Sequence, residues 1–405
     1  MRFWGVTGTN GKTTTTWITA EFINADPARK CGYVTTVEVN TGTRQFYTGY
    51  TTPPLKQLKE IFAEMEANGC TDCVMEVSSH AIHQHRTGDT VFSGGVFTNL
   101  SEDHLDYHKT MEAYFDVKLD FARQIAAAHP TTPDMGRRDL PPYVVCLDGG
   151  YGREMFNAVG NLAVNVIPVA AKKKVVVGSR SRTADVENST VRLGLSNYDL
   201  TGLQLVGDYN KSNVLCAAAL AEAAGVSHDA IQAVIPTLKP RWGRLEEVEK
   251  RGGQWKARVF VDFAHTPDGL EKVLAAARGF TPKGKKLWVV FGAGGDRDPM
   301  KRPLMGEACA RLADRLVVTS DNPRSEDPLK IIDAIKEGIV HCTPTPPTYA
   351  YTIEPDRKKA IEYALREAAE GDVIIIAGKG HETTQEIKGV KYPFDDREVV
   401  RQFAG

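Results

Sequence analysis

A chain of 405 residues exceeds one ordinary domain and predicts two or three domains. Hydrophobic residues make up 42% and charged residues 25%, values typical of a soluble globular protein with a substantial core. Because the formal net charge is only −1, the composition favours neither a nucleic-acid partner nor an anionic membrane surface. The apolar runs are shorter than a membrane span, so no membrane partner is expected either.

The seven cysteines are scattered and show no paired framework, which fits a reducing cytoplasm. Cys70 and Cys73 form a lone C-x-x-C pair that runs into a predicted strand. Without a second pair, buried or idle thiols are favoured over a zinc site.

The chain begins with a strand, a glycine-rich turn and a helix. The strand contains Phe3, Trp4 and Val6, and the predicted helix is 14–22. The turn between them consists of Gly8, Thr9, Asn10, Gly11, Lys12, Thr13 and Thr14. Glycines there let backbone N–H groups approach phosphate oxygens, while the lysine reaches the β- and γ-phosphates and the threonine hydroxyl holds Mg²⁺.

The glycine-rich turn is shorter than the G-x-x-x-x-G-K-[ST] form when counted from Gly8. A glycine turn that only packs a helix on a sheet is the alternative interpretation. Because Lys12 and Thr13 both follow the glycines, a nucleoside triphosphate site is favoured. The turn lies so close to Met1 that we expect no signal or transit peptide.

Strands and helices alternate after this turn, which predicts α/β architecture with a mostly parallel, doubly wound sheet. The predicted strands of the first half are 32–39, 73–77, 94–98 and 143–147, with helices at 55–68, 111–127 and 214–224 and short β-like runs over 171–206. After a hinge at 236–240, the predicted strands are 259–263, 287–291, 315–319 and 373–377. We therefore predict a P-loop domain over 1–238 and a Rossmann-like α/β domain over 239–405.

Two metal-compatible side chains follow strands in the first half, Glu76 and His104. A carboxylate and an imidazole at neighbouring strand ends can complete a Mg²⁺ site begun by the triphosphate. Taken singly, Glu76 could be a surface charge, and His104 with His108 a solvated helix start. His80, His83 and His85 form a second group beside Arg86, for which a substrate-contact loop with an arginine anion clamp is favoured over zinc.

The second half places cationic and acidic groups after its strands. Arg297 follows a glycine-rich loop, Arg324 ends an Asp-Asn-Pro-Arg sequence, and Glu382 follows the last clear strand. Two guanidinium groups can hold a carboxylate, and Glu382 can accept an ammonium group. ATP in one half and an amino acid in the other predict carboxylate activation as an acyl phosphate, followed by attack of an amine.

Together these motifs resemble the Mur ligase family, and within it the MurE-type enzymes. The matching stretches run from 5–13 to 378–382 and so cover nearly the whole chain. The resemblance implies an ATP-dependent ligase that adds meso-diaminopimelate to the D-glutamyl carboxylate of UDP-N-acetylmuramoyl-L-alanyl-D-glutamate in peptidoglycan precursor synthesis. It also implies a cytoplasmic enzyme with small-molecule substrates, which we expect to be a monomer.

The resemblance further implies roles for individual residues. Lys12, Lys118, Glu76 and His104 would be catalytic, and Thr13, Glu76, His104 and a carbamylated Lys118 would support two Mg²⁺ ions. By spacing alone, Lys118 is an ordinary exposed lysine. The ATP-binding set adds Asn213, Arg244, Asp262 and His265 to the glycine-rich turn. Acceptor binding is implied for Thr51, Thr52, Ser78, Gln84 and Arg86, and amino-acid binding for Arg297, Asp321, Asn322, Arg324, Gly378 and Glu382.

Family members normally carry an N-terminal domain that grips uridine diphosphate, for which this sequence has no counterpart. Two alternatives therefore stay open. The first is a ligase of the same chemistry whose acceptor lacks the nucleotide, and the second is a catalytically silent nucleotide-binding subunit.

Overall fold

The computed structural model describes residues 1–132, 134–171, 186–187, 190–192, 197–250, 255–342 and 350–403. The chain forms two compact units. The first unit contains Met1–Ser101 and His108–Lys239, and the second contains Glu102–Tyr107 and Pro240–Gly405. The segment Glu102–Tyr107 thus groups with the second unit, although its neighbours in the chain belong to the first.

The first unit contains an eight-stranded sheet in the order β4-β3-β2-β5-β1-β6-β7-β8 and a three-stranded sheet in the order β11-β10-β9. The strands are β1 Arg2–Thr7, β2 Cys31–Val34, β3 Val39–Asn40, β4 Gln45–Phe46, β5 Asp72–Glu76, β6 Phe92–Phe97, β7 Pro142–Cys146, β8 Asn165–Val169, β9 Val186–Glu187, β10 Thr190–Arg192 and β11 Asn197–Asp199. The helices are α1 Lys12–Asn24, α2 Leu55–Ala67, α3 Ser79–His83, α4 Leu105–His108 at the border with the second unit, α5 Met111–Ala128, α6 Gly152–Val159, α7 Asp208–Ala223 and α8 His228–Val234, with 3₁₀ turns at Arg137–Asp139 and Ile235–Thr237.

Parallel pairing brings the ends of three strands of the first unit to one edge of the sheet. β1 lies between β5 and β6 and is parallel to both, with Val6 in register with Glu76 and with Val96. The segments that follow these strands therefore emerge side by side, as expected for a doubly wound sheet. The predicted strands at 73–77, 94–98 and 143–147 are confirmed within a residue or two at each end.

The single strand predicted at 32–39 is wrong, because the chain turns back within it. β2 and β3 pair antiparallel, with Val34 opposite Val39. The Thr35 N–H donates to the Glu38 carbonyl at 3.0 Å, and the Thr35 hydroxyl donates to the same carbonyl at 2.8 Å. These bonds close a tight turn that hydrophobic patterning cannot distinguish from a continuous strand. Of the short β-runs predicted over 171–206, β9, β10 and β11 are described, and the rest lie outside the described residues.

Helices cover both faces of this sheet. A buried cluster on one face joins Leu58 and Met65 of α2 and Phe121 of α5 to Met75 and Phe97 of the strands. On the other side α1 packs against α7, which also contacts β7 and β8. All seven cysteines are free and buried, so the prediction of buried thiols at Cys70 and Cys73 is confirmed.

The second unit is built on a six-stranded sheet in the order β12-β13-β17-β14-β15-β16, with a separate β18-β19 hairpin. Its strands are β12 Glu246–Glu247, β13 Arg258–Asp262, β14 Leu287–Phe291, β15 Arg315–Val318, β16 Ala350–Ile353, β17 Val373–Ala377, β18 Thr384–Ile387 and β19 Val390–Pro393. Its helices are α9 Pro267–Phe280, α10 Lys301–Leu312, α11 Pro328–His341, α12 Arg357–Glu367 and α13 Asp396–Arg401. The strands β13, β17, β14, β15 and β16 are parallel, so the predicted Rossmann-like pattern is confirmed.

Both faces of the second sheet are buried at its centre, which explains why β14 and β17 are apolar at every position. Leu287 and Val289 of β14 face a core with α9, α10 and α11, whereas Trp288 and Val290 face a core with α12 and α13. Successive side chains of a strand point to opposite faces, so a strand covered on both sides needs apolar residues at every position. No helix in the described part of the chain is both long and apolar enough to span a bilayer.

A buried ion pair fixes α12 and α13 to the ends of two strands. Arg357 and Asp396 are both fully buried, and the Arg357 Nε and Nη2 atoms each donate to an Asp396 carboxylate oxygen at 2.8 Å. The Arg357 Nη2 atom also donates to the Ala377 carbonyl at the end of β17, at 2.9 Å. The Arg357 Nη1 atom lies 3.5 Å from the Ser320 carbonyl after β15. The arginine therefore links two strand ends that carry predicted site residues.

We expect Asp396→Ala to lower the free energy of unfolding by about 3–5 kcal/mol, because it leaves the buried Arg357 charge without its counter-ion. Urea unfolding followed by circular dichroism measures the change. The control is Glu398→Ala on the same helix, which breaks an exposed pair with Arg401 and should cost less than about 1 kcal/mol. Equal losses in the two variants would contradict the structural role of the buried pair.

Candidate active site

The glycine-rich turn after β1 needs glycine at two positions for steric reasons. Gly8 has a φ of 146° and Gly11 a φ of 84°, both in the region that favours glycine. A Cβ atom at Gly8 would collide with the Thr98 hydroxyl, and one at Gly11 would collide with the Asn213 side chain. α1 begins at Lys12, directly after Gly11, so the N–H groups of its first turn lie at the glycine-rich turn. The turn therefore has the geometry of an anion-binding helix N-terminus.

The two residues that follow β6 are Thr98 and Asn99, and both hydrogen-bond to the backbone of this turn. The Asn10 N–H donates to Asn99 Oδ1 at 3.0 Å, and Asn99 Nδ2 donates back to the Asn10 carbonyl at 2.9 Å. The Thr98 hydroxyl donates to the same carbonyl at 2.7 Å. Sequence reasoning gave these residues no role. The feature that could have indicated a role for Thr98 and Asn99 is their position directly after a strand that runs parallel to β1.

The Lys12 side chain folds back over the turn. Its Nζ atom donates to the Gly8 carbonyl at 3.0 Å and to the Thr9 carbonyl at 2.8 Å. An ammonium group held by two carbonyls of the turn lies beside the N–H groups that would face phosphate oxygens. The structure therefore places Lys12 where a phosphate-contacting lysine is needed.

Glu76 lies beside Thr13 and is fully buried. The Thr13 hydroxyl donates to Glu76 Oε1 at 2.7 Å, and the Thr36 N–H donates to the same oxygen at 2.8 Å. The Thr36 hydroxyl lies 3.1 Å from Glu76 Oε2 and 3.0 Å from the Thr51 hydroxyl. The alternative of a surface charge at Glu76 is therefore wrong.

The surroundings of Glu76 fit a divalent cation. In the part of the chain that the structure describes, its hydrogen-bond donors are neutral threonine groups. A buried carboxylate surrounded by neutral donors is costly unless a cation joins it, and hydroxyl and carboxylate oxygens are the ligands that Mg²⁺ prefers. The described residues contain no cluster of three or more His, Cys, Asp or Glu side chains arranged to hold a metal. A cation at this point would find the Thr13 hydroxyl and the Glu76 carboxylate as ligands.

Lys118 is buried on α5, so the expectation from spacing alone, an exposed lysine, is wrong. Its Nζ atom donates to the Gly8 carbonyl at 3.0 Å and lies 4.7 Å from the centroid of the Tyr114 ring. The Tyr114 hydroxyl lies 3.2 Å from the Thr9 hydroxyl, and its ring stacks on His108. The lysine is therefore aimed at the first glycine of the turn. His108 is buried rather than solvated, with Nε2 2.9 Å from the Ser79 hydroxyl.

The residues predicted for acceptor binding lie close to Glu76. The Thr52 hydroxyl donates to the Glu76 carbonyl at 2.8 Å and accepts from the Ser78 N–H at 3.1 Å. Arg86 Nη1 donates to the Thr52 carbonyl at 3.3 Å, and Arg86 Nε donates to Gln84 Oε1 at 2.8 Å. The structure thus brings Thr51, Thr52, Ser78, Gln84 and Arg86 into one hydrogen-bonded region of the first unit.

His104 lies in the segment that groups with the second unit, so its membership of a site with Glu76 stays a prediction. Its φ of 55° is uncommon for a residue other than glycine. Its Nε2 atom lies 3.5 Å from Asp103, which also pairs with Lys301 at 3.7 Å. Burial alone would raise the pKa of Asp103, but His104 and the charge of Lys301 hold it well below its usual value.

Three of the residues predicted for nucleotide binding meet at the end of β13. Burial raises the pKa of Asp262, while the Arg244 charge opposes the rise. The Asp262 carboxylate accepts the N–H groups of Leu245 at 2.6 Å and of Ala264 at 2.7 Å. The Arg244 guanidinium lies 4.5 Å from the centroid of the Phe263 ring. Burial and the nearby Lys301 charge lower the pKa of His265, so the imidazole is held neutral.

The residues predicted for amino-acid binding follow β14, β15 and β17. Arg324 Nη1 donates to the Gly295 carbonyl at 2.6 Å, and its Nε lies 3.7 Å from Glu386. A Cβ atom at Gly378 would collide with the Asp321 carboxylate, so these two strand ends are in close contact.

Around Asn322 the structure adds a residue that sequence reasoning missed. Asn322 Nδ2 donates to Glu382 Oε2 at 2.8 Å, and the buried Lys379 donates to both side chains. Arg297 is exposed at the glycine-rich loop, with Nη1 2.9 Å from the Asp296 carbonyl.

Two family descriptions match the chain. The Mur ligase middle domain matches residues 6–221, and the glutamate ligase domain of Mur ligases matches residues 243–380. A UDP-N-acetylmuramoyl-L-alanyl-D-glutamate–2,6-diaminopimelate ligase of Aquifex aeolicus is 39% identical over 99% of this chain and 77% of its own length. The protein of the same name from Neisseria meningitidis is 37% identical over 99% of this chain and 77% of its own.

Solved structures agree with these matches. A structure described as UDP-N-acetylmuramoyl-L-alanyl-D-glutamate–2,6-diaminopimelate ligase has a TM-score of 0.59 and 31% identity, and covers 99% of this chain and 77% of its own. Folylpolyglutamate synthase of Mycobacterium tuberculosis, complexed with ADP and AMPPCP, has a TM-score of 0.62 at 19% identity, with 93% of this chain and 88% of its own covered. At that identity the second likeness shows the fold alone.

His381 follows β17, and its ring centroid lies 5.0 Å from that of Phe263. Its pKa therefore tests the packing around the ends of β13 and β17. Burial, with the charges of Arg244 and Arg397, lowers it to about 3. The folded protein therefore binds fewer protons than the unfolded chain between about pH 3 and pH 6.5, and stability falls as the pH falls through this window. Between pH 7 and pH 5, the free energy of unfolding should fall by about 2 kcal/mol less in His381→Asn than in wild type. Urea unfolding at the two pH values measures this difference.

The control is His228→Asn, where the shift has the opposite sign. Hydrogen bonds with the Asn197 carbonyl and Asp229 raise the pKa of His228, so its contribution to stability grows on acidification. That variant should lose stability more steeply than wild type between pH 7 and pH 5. Identical pH profiles for His381→Asn and wild type would contradict a partly buried, neutral His381.

Proposed function

The chain belongs to the Mur ligase family, and we propose that it joins 2,6-diaminopimelate to UDP-N-acetylmuramoyl-L-alanyl-D-glutamate. Ligation by this family depends on ATP. The observation that carries the proposal is the 39% identity, over 99% of the chain, to a relative named for these substrates. We assign the activity to peptidoglycan precursor synthesis in the cytoplasm and to a monomer that takes small-molecule substrates. Residues 1–238 form its ATP-binding domain, and residues 239–405 form its amino-acid-binding domain.

The proposed ATP site is centred on the turn from Gly8 to Thr14. The N–H groups of this turn and Lys12 contact the phosphates, and Asn213, beside Gly11, contacts the rest of the nucleotide. Arg244, Asp262 and His265 of the second unit are assigned to the nucleotide by the family resemblance alone. The hydrogen bonds of Thr98 and Asn99 to Asn10 support this role, because a turn held in shape loses little conformational freedom when it binds phosphate. Thr13, Glu76, His104 and Lys118 in its carbamylated form are the residues that would hold Mg²⁺, and the ion would neutralise charge on the phosphate oxygens.

The proposed acceptor site consists of Thr51, Thr52, Ser78, Gln84 and Arg86. An acceptor carboxylate oxygen attacks the γ-phosphorus of ATP, ADP leaves, and an acyl phosphate forms. The contact of the Thr52 hydroxyl with the Glu76 carbonyl supports this placement, because it joins the acceptor residues to the metal-compatible carboxylate. The donor amine then attacks the acyl carbon, and inorganic phosphate leaves as the amide bond forms.

The proposed donor site consists of Arg297, Asp321, Asn322, Arg324, Gly378 and Glu382. Diaminopimelate carries two ammonium and two carboxylate groups, and the site offers both signs of charge. A guanidinium group binds a carboxylate through paired N–H donors. Glu382 Oε2 is occupied by Lys379 and Asn322, so Glu382 Oε1 is the atom we assign to a substrate ammonium.

The proposal is tested by phosphate release from ATP with a panel of amino acids and acceptors. We expect release to require diaminopimelate together with the UDP-linked muramoyl dipeptide. Lys12→Ala should abolish release, which also decides against a silent nucleotide-binding subunit. Faster phosphate release with an acceptor that lacks the nucleotide would favour the alternative of a ligase with a non-UDP acceptor. Phosphate release that does not depend on any amino acid would refute the ligase assignment.

Carbamylation of Lys118 gives a second test. Carbon dioxide adds to the neutral amine, a proton is lost, and a carboxylate-like group forms near Gly8. We expect Lys118→Ala to lose activity by at least about 10- to 100-fold, and small carboxylates such as formate to restore part of it. Wild-type protein labelled with ¹³C-bicarbonate should show a carbamate carbon signal that the variant lacks.

The control for this test is Lys59→Ala, which removes an exposed lysine of α2. It should keep both full activity and the carbamate signal. Full activity of Lys118→Ala would remove this lysine from the proposed site.

A further inference from the structure

A fully buried lysine, Lys379, lies among the proposed donor residues without a role in the proposed reaction. Its Nζ atom donates to Glu382 Oε2 at 2.9 Å and to Asn322 Oδ1 at 3.0 Å. Burial of an ammonium group is costly, and here a carboxylate and an amide oxygen compensate for it. The lysine is thus bound to two of the side chains assigned to the amino acid.

The hydrogen bonds around Asn322 fix which way its amide points. Asn322 Oδ1 accepts from Lys379 Nζ and also from the Glu386 N–H at 2.9 Å. Since the carbonyl oxygen is occupied by two donors, Nδ2 must face Glu382, to which it donates at 2.8 Å. A flipped amide would set its NH₂ group against two donors. Lys379 therefore helps to keep Asn322 Nδ2 as a hydrogen-bond donor to Glu382.

Glu382 is fixed in the same way. Its Oε2 atom receives hydrogen bonds from Lys379 and Asn322. The Glu382 side chain is 31% exposed. One oxygen is thus held while the other can meet a ligand, and without Lys379 the carboxylate could rotate into solvent.

We propose that Lys379 is a positioning residue for amino-acid recognition: by holding Glu382 Oε2 and Asn322 Oδ1, it aims Glu382 Oε1 at a substrate ammonium. This inference rests on the proposed function, since it assigns a role within the proposed donor site. Two effects of removing Lys379 have opposite signs. Loss of the Lys379 cation makes the potential at the donor site more negative and favours binding of an ammonium group. Loss of the two hydrogen bonds, in contrast, leaves the Glu382 carboxylate that binds this ammonium without a fixed orientation. The orientation effect dominates because Lys379 binds both Glu382 and Asn322, which itself donates to Glu382.

The test compares Lys379→Met, Glu382→Gln and the double variant with wild type, using the amino acid that wild type uses best. We expect Lys379→Met to raise KM for the amino acid by about tenfold or more, with KM for ATP changed by less than about twofold. A purely structural defect would instead lower kcat through loss of folded enzyme and leave KM unchanged. In the Glu382→Gln background, Lys379→Met should change KM by less than about twofold, because its effect acts through the carboxylate.

The matched control is Lys391→Met, which removes an exposed lysine on β19 and should leave both KM values unchanged. An amino-acid KM of Lys379→Met that is unchanged or lowered would overturn the inference. Equal increases of KM in both backgrounds would overturn it as well.

Thermal unfolding of the same four proteins tests the pairing without any substrate. Lys379→Met should lower Tm clearly in the wild-type background and much less in the Glu382→Gln background, where no unpaired carboxylate remains. Equal Tm losses would overturn the inference whatever amino acid the enzyme uses. A wild-type protein that uses no amino acid would refute the proposed function, while the unfolding cycle still decides the pairing. Should Lys379→Met fail to fold, the double variant and Glu382→Gln supply the comparison, since the double variant contains no unpaired buried charge.

Discussion

Parallel pairing of β1 with β5 and β6 is the constraint on which the proposed nucleotide site depends. Parallel strands leave the sheet at a common edge, so three distant stretches of chain meet there. The turn after β1 supplies N–H groups, the end of β5 supplies Glu76, and the residues after β6 bind the turn itself. A shift of one residue in this register would turn Glu76 to the other face of the sheet, away from Thr13.

Both units bury charged side chains, some among the proposed site residues and one in a structural ion pair. Glu76, Lys118, Lys379 and Arg357 are all nearly or fully inaccessible to solvent. A protein rarely buries such groups without a partner, because removing a charge from water is expensive. For Arg357 the partner is Asp396, which makes its role structural. For Glu76 the donors are neutral, and this difference separates a cation-compatible carboxylate from a structural ion pair.

Much of this architecture could be predicted from sequence, because local patterns decide it. The central strands β14 and β17 of the second unit are apolar at every position, since helices cover both faces of their sheet. The glycine-rich turn was recognisable because the glycines, lysine and threonine that predict phosphate binding are adjacent in the chain. The prediction of a single strand at 32–39 was wrong because no local pattern decides the structure there. The turn in this stretch depends on hydrogen bonds of Thr35 that an apolar pattern does not reveal.

The amino-acid sequence by itself determined the fold class, the glycine-rich turn and the family, because each depends on residue types at fixed spacing. Only the tertiary structure decided which side chains are buried and what they touch. Lys118 has the spacing of a surface lysine, yet its amine lies 3.0 Å from the Gly8 carbonyl. Lys379 and Asn322 are far apart in sequence and share a hydrogen bond because β15 and β17 end at one edge of their sheet. Such contacts join residues that are distant along the chain, and spacing alone therefore cannot predict them.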